Sequence, residues 1–126
     1  MLTETKELNR DFIETVAEYV KKKGYENIRV DILEGYEAPS KLVRKNSDTE
    51  DVYVPDVTGV KRGRKDYFEV VVKSDEASKL ASKWQLLGTV AKMKRGELYL
   101  VVPKGHFRFA SDIVKKYSIE AEVIKI

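Results

Sequence analysis

At 126 residues the chain has room for one domain with one core. It contains no cysteine, which excludes disulfides, thiolate metal sites and cysteine nucleophiles and suits a reducing, cytoplasmic setting. No apolar run approaches the roughly 20 residues that span a bilayer, and the first residues do not read as a signal peptide. Lysine and arginine number 24 against 21 acidic residues, and a net charge of +3 is too mild to demand nucleic acid by itself.

The first element is a helix over about residues 4–23, with Leu8, Phe12, Ile13, Val16, Ala17, Tyr19 and Val20 at three- and four-residue spacing. Thr3 or Thr5 can cap its start; Lys21–Lys23 suit the negative end of its dipole and Gly24 its C′ position. A strand follows from Asn27 to about Leu33, where Ile28, Val30 and Ile32 alternate with Arg29 and Asp31. Residues 34–51 are polar and irregular, and a loop of that length in a compact domain is usually functional or mobile; they make a plausible substrate-recognition loop.

A hairpin comes next, with Asp51–Val60 and Lys65–Lys73 flanking a Lys-Arg-Gly-Arg turn in which Gly63 can take positive φ. Asp75 to Arg95 reads as a second helix, capped by Ser74 or Asp75 and closed by Gly96, with Ala77, Leu80, Ala81, Trp84, Leu87, Val90 and Ala91 as its stripe. Glu97–Pro103 is a buried strand, Ser111–Tyr117 a short helix, and Ala121–Ile126 a last strand. A helix between two strands is long enough for a parallel crossover within a mixed sheet.

The pair that carries chemistry is Asp56, after Pro55, and Glu69 on the next strand. With Arg62-Gly63 as a two-residue turn, paired positions sum to about 125 and Asp56 faces Glu69; with Gly63-Arg64 they sum to about 127 and the two are diagonal. Either register puts both carboxylates on one face. Like charges so placed destabilise a sheet, and a divalent cation removes the penalty, since Mg²⁺ is commonly held by one or two carboxylates with waters and phosphate oxygens.

Pro55-Asp56, then Glu69 thirteen positions later, in a helix–three strands–helix–strand order, resembles the PD-(D/E)xK, or restriction-endonuclease-like, superfamily of nucleases, which includes the archaeal Holliday-junction resolvases. The resemblance runs from the first helix to Val102. It implies a single domain over 1–126: an αβββαβ core with a mixed central β-sheet flanked by helices, extended by a C-terminal α-β unit. It further implies Mg²⁺- or Mn²⁺-dependent hydrolysis of DNA, in preference to RNA. Asp56, Glu69 and the carbonyl of Val70 would be metal ligands, and a homodimer would be expected. The family's lysine is displaced: Val71 stands two residues after Glu69, and Lys73 lies two further along the same face, about 6.6 Å away, as a substitute. Glu14 (with Asp11 and Glu18 as alternatives) would be the helix glutamate and Gln85 the glutamine of the second helix. The basic clusters, Lys61, Arg62, Arg64 and Lys65 on the hairpin and Lys92, Lys94 and Arg95 at the helix end, would contact phosphate. The alternatives are a degenerate nuclease fold that binds nucleic acid without cutting it, and an accessory subunit that binds only protein.

Overall fold

A computed structural model describes the backbone of residues 1–126 and all side chains except those of Thr3 and Glu4. Its elements are α1 (Thr3–Lys6), a 3₁₀ turn (Glu7–Asn9), α2 (Arg10–Lys22), β1 (Glu26–Val30), β2 (Leu42–Lys45), β3 (Glu50–Tyr53), β4 (Val57–Lys61), β5 (Arg64–Val70), α3 (Ala77–Met93), β6 (Leu98–Val102), α4 (Phe107–Tyr117) and β7 (Glu122–Lys125).

Five strands form a mixed sheet in the order β1-β4-β5-β6-β7. The pairs β1–β4 and β4–β5 are antiparallel; β5–β6 and β6–β7, each joined through a helix, are parallel. The expected mixed α/β sheet flanked by helices is therefore present, with α4 and β7 as the C-terminal extension.

Alternation divides the core between the two faces of the sheet. Ile13, Val16, Ala17 and Val20 of α2 pack on Val30, Val57, Phe68, Val70 and Val101. On the opposite face Leu80, Ala81, Trp84, Leu87 and Ala91 of α3, with Ala110 and Ile113 of α4, cover Tyr67, Val71, Leu98, Leu100 and Val102. Side chains of Phe68 and Glu69 thus leave β5 on opposite sides, the second towards α3.

The β4–β5 turn decides the register. Lys61 pairs with Arg64 and Val57 with Phe68, so Arg62-Gly63 is the two-residue turn, and both take positive φ (54° and 78°), as a type I′ turn requires.

Several boundaries differ from the sequence expectation. The first helix is interrupted by the 3₁₀ turn, which leaves Leu8 outside the apolar stripe at 85% exposure. The residue at its N-cap position is Leu2, and the Thr5 hydroxyl donates to the Leu2 carbonyl instead of capping; the alternative cap, Thr3, lies outside the described side chains. Residues 34–51 are not simply a loop, because β2 and β3 form a separate two-stranded hairpin within and just beyond them. The strand drawn through 51–60 is accordingly two strands. Pro55 separates them, as its missing N–H predicts.

At the end of α3, Arg95 and not Gly96 takes the left-handed conformation, with φ 62°. Gly96 serves a different need: a Cβ there would stand 1.8 Å from the Lys65 carbonyl oxygen.

Candidate functional site

The β4–β5 ladder stops at Val57–Phe68, and beyond it the two acids replace backbone pairing with side-chain bonds. The Asp56 N–H donates to Glu69 Oε2 at 2.9 Å, and the Val70 N–H donates to Asp56 Oδ2 at 2.8 Å. Each carboxylate is therefore fixed by the other's strand. Both residues are fully buried, so their charges need partners.

Three cations supply them. The Met1 ammonium lies 2.7 Å from Asp56 Oδ2, 3.2 Å from Glu69 Oε1 and 3.4 Å from the Val70 carbonyl oxygen. Lys83 Nζ, from α3, is 2.9 Å from Glu69 Oε1 and 3.9 Å from Asp56 Oδ1, and donates to the Met1 carbonyl at 2.5 Å. Lys6 Nζ bridges Asp31 Oδ2 at 2.7 Å, the Val54 carbonyl at 2.9 Å and Asp56 Oδ1 at 3.1 Å. That last contact is close but poorly aligned, and Asp56 Oδ1 accepts no hydrogen bond among the described residues.

The cluster sets its own protonation. Burial works to raise the Asp56 carboxyl, but the Met1 amine, Lys83 and Lys6 outweigh it and hold it well below the usual carboxylate range. Burial likewise opposes the charge on Lys6, yet Asp56, Glu69 and Asp31 leave it above its ordinary value. For Met1, burial wins: its amino group lies below its ordinary value despite Asp56 and Glu69. Of Met1 and Lys6, the Met1 amine is therefore the less firmly charged.

The expected site residues separate into two groups. Asp56, Glu69 and the Val70 carbonyl converge on one cation. Lys73, Glu14 and Gln85 are not brought to them. The strand β5 ends at Val70, so the face that would have carried Lys73 back to Glu69 is lost. Lys73 is exposed, its backbone N–H donates to His106 Nδ1, and the residue is among those lining a cavity of about 220 Å³ that also touches Met1 and Val70. Glu14 is exposed on the outer side of α2, with no pairing to the carboxylates among the described residues. Gln85 is also exposed, and its Nε2 donates to the Tyr117 carbonyl at 3.3 Å.

Sequence reasoning missed Lys83, Lys6 and Asp31. Lys83 had a signal: it is three residues after Leu80 and four before Leu87, inside the apolar stripe of α3.

The two basic clusters, read separately in the sequence, meet in space. The Lys65 N–H donates to the Lys94 carbonyl, which brings the start of β5 against the end of α3. Burial and then Lys94 and Arg29 push the Lys65 ammonium down. Several members are already engaged: Lys61 Nζ donates to the Lys23 carbonyl at 2.6 Å, Arg64 lies 3.4 Å from buried Asp66, and Lys92 pairs with Glu97 at 2.6 Å. Arg62, Lys94 and Arg95 are exposed. The hairpin tip stands roughly 16 Å from the carboxylates, five residues at about 3.3 Å each.

A divalent cation fits this place by its donor set. Two carboxylates and a carbonyl already converge on a positive nitrogen, and one Asp56 oxygen is left over, which suits an ion that takes few protein ligands and keeps its waters. Among the described residues there is no group of three or more histidines and carboxylates poised as an all-protein metal cage.

No protein-family model matches the chain, and no curated protein matches it. Among solved structures, protein VC1899 from Vibrio cholerae is similar over 90% of this chain, with 16% sequence identity and a TM-score of 0.46. This chain spans 28% of the length of that protein. Among the described residues no helix is long and apolar enough to cross a membrane.

Proposed function

We propose that the chain is a Mg²⁺-dependent nuclease that hydrolyses DNA phosphodiester bonds at Asp56 and Glu69. The observation that carries this reading is the convergence of Asp56 Oδ2, Glu69 Oε1 and the Val70 carbonyl on one cation, with a lysine ammonium 2.9 Å from Glu69. Asp56, Glu69 and Val70 would hold Mg²⁺ (or Mn²⁺). The ion, when bound, would make a water nucleophilic near neutral pH and offset charge developing on the phosphate.

The chain's own residues do the rest. The Asp56 N–H bond to Glu69 and the Val70 N–H bond to Asp56 hold both carboxylates in place. Lys83, rooted on a helix and not on the strand, takes the lysine role, because its ammonium reaches the carboxylate pair and can steady negative charge there. Lys6 neutralises Asp31 and the outer oxygen of Asp56. Buried carboxylates cannot meet a phosphodiester, so Met1 and the residues after it have to move aside for substrate to enter. Cutting both strands of a duplex would call for two such sites, which a homodimer provides.

The test is cleavage of single-stranded, duplex, forked and four-way-junction DNA with Mg²⁺, Mn²⁺ or chelator. Metal-dependent cutting is expected, lost in Asp56→Ala. Lys83→Met is expected to abolish cutting while calorimetry still registers Mn²⁺, and Lys73→Ala to leave cutting intact. The reverse result for the two lysines would return the role to Lys73.

The second reading, a nuclease fold that binds without cutting, is favoured by one observation: Met1, Lys6 and Lys83 already neutralise the acids in a closed site. Folded protein that neither cuts any substrate nor binds Mn²⁺ would select it.

A further inference from the structure

The helix α3 does not cover the whole of its face of the sheet. Beyond it, where β1 and β4 form the edge, lies a groove of about 610 Å³ lined by Arg29, Tyr36, Ser40, Thr58, Val60 and Lys65 among others. Register puts its strand residues on the α3 side: Arg29 pairs with Thr58, and Val60 with Lys65. Thr58 is two residues from Asp56, about 6.6 Å along the strand, on the same face of the sheet. Its outer wall comes from Gly35, Tyr36, Glu37 and Ser40, in the polar segment that the sequence marked as unusually long.

Two independent features favour a polar occupant, and the first of them an anionic one. The first is unbalanced charge. Arg29 and Lys65 line the groove together and the Lys65 N–H donates to the Lys94 carbonyl, and after burial Lys94 and Arg29 are what disfavour the Lys65 proton. The acid at the groove is Glu37, which pairs with Arg29 at 3.4 Å while its own side chain is 80% exposed, a contact that contributes little. The second is the Thr58 hydroxyl, buried with no hydrogen-bond partner among the described residues, although buried polar groups are almost always satisfied.

We propose that this groove binds one strand of nucleic acid. Arg29, Lys65 and Lys94 would take its phosphates, Thr58 would donate to a phosphate or sugar oxygen, and Tyr36 would offer a ring to a base. Size argues for a single strand. The volume falls within the roughly 300–1,000 Å³ of small-ligand pockets, which is room for a nucleotide or two and not for paired backbones, and one ring with a row of cations is how unpaired strands are held. The inference names the strand on which the carboxylate pair would act and rests on that reading for its direction; binding itself does not require cleavage.

The experiment is fluorescence anisotropy of a labelled single-stranded oligothymidylate, titrated in chelator across a range of salt. The protein is expected to bind it more tightly than a matched duplex. Lys94→Gln, at an exposed position that does not threaten the fold, should weaken binding and flatten the log–log salt dependence by about 0.7, the value of one phosphate contact on a single strand. Arg29→Gln should do the same and add to it. Thr58→Val, nearly isosteric, should weaken binding at unchanged salt slope, and Lys115→Gln on α4 should change neither. The proposal is overturned by absence of single-strand binding, by preference for duplex, or by Lys94→Gln and Arg29→Gln behaving like Lys115→Gln. Groove-dependent binding without cutting in Mg²⁺ would sink the nuclease reading alone; cutting indifferent to these variants would sink the groove alone.

Discussion

Lys83 occupies a stripe position on α3 where an apolar side chain would ordinarily pack, and it is 2% exposed. A lysine there can be read two ways from sequence, as a snorkelling stem or as the partner of a buried acid, and only the sheet's placement of Glu69 decides. Asp56 and Glu69 were legible because period-two alternation puts them on one face with either two-residue turn at Gly63, although a three-residue loop would have separated them. Lys6 and Asp31 were not, because nothing local links residues 25 apart. Asp56 also sets a pH dependence. Its folded carboxyl titrates below its unfolded value of about 3.9, so its charge stabilises the fold above that pH, and the contribution drains as pH falls towards the depressed value. The urea midpoint should therefore drop between about pH 5 and pH 2, more steeply than in Asp56→Asn. Equal slopes in the two proteins would show that Asp56 is not held in this way.

Among the elements, the β4–β5 hairpin was the most legible as a turn around Gly63, but its register was not: the sequence allowed Arg62-Gly63 or Gly63-Arg64, and the left-handed Arg62 in the structure selects the first. The β2–β3 hairpin was hidden by its composition: four-residue strands with half-exposed alternation (Val43 and Val52 are 50% and 49% exposed) look like polar loop. The end of α3 misled for another reason. Glycine after a helix ordinarily supplies a left-handed residue, whereas Gly96 is needed because β5 passes against it. Gly96→Ala should consequently cost about 3 kcal/mol or more, as overpacking against backbone does, measured as a urea midpoint far below the parent's. Arg95→Gly, which relieves a left-handed arginine, should be neutral or stabilising.

For the whole molecule, the order of elements was enough to predict a mixed sheet, because a strand–helix–strand passage makes parallel neighbours and a tight turn makes antiparallel ones. The division of the core between α2 on one face and α3 with α4 on the other followed from the same alternation. Both clusters share β5 and β6, so they should unfold together. Ile13→Ala and Leu87→Ala, one in each cluster and each fully buried, should each cost about 2–5 kcal/mol and shift Trp84 fluorescence and far-ultraviolet circular dichroism by the same amount. Separate transitions by the two probes would mean that the faces fold independently.

The buried charge cluster ties Met1, Lys6, Asp31, Asp56, Glu69 and Lys83 together, and its longest link joins residues 82 apart in sequence. Contacts of that span carry the largest closure entropy and form after local ones. In kinetic terms the cluster belongs to the native side of the folding barrier: Lys83→Met should speed unfolding and leave the refolding limb of a chevron unchanged. The groups that would meet metal and phosphate are then the last to lock into place, after the sheet beneath them has formed.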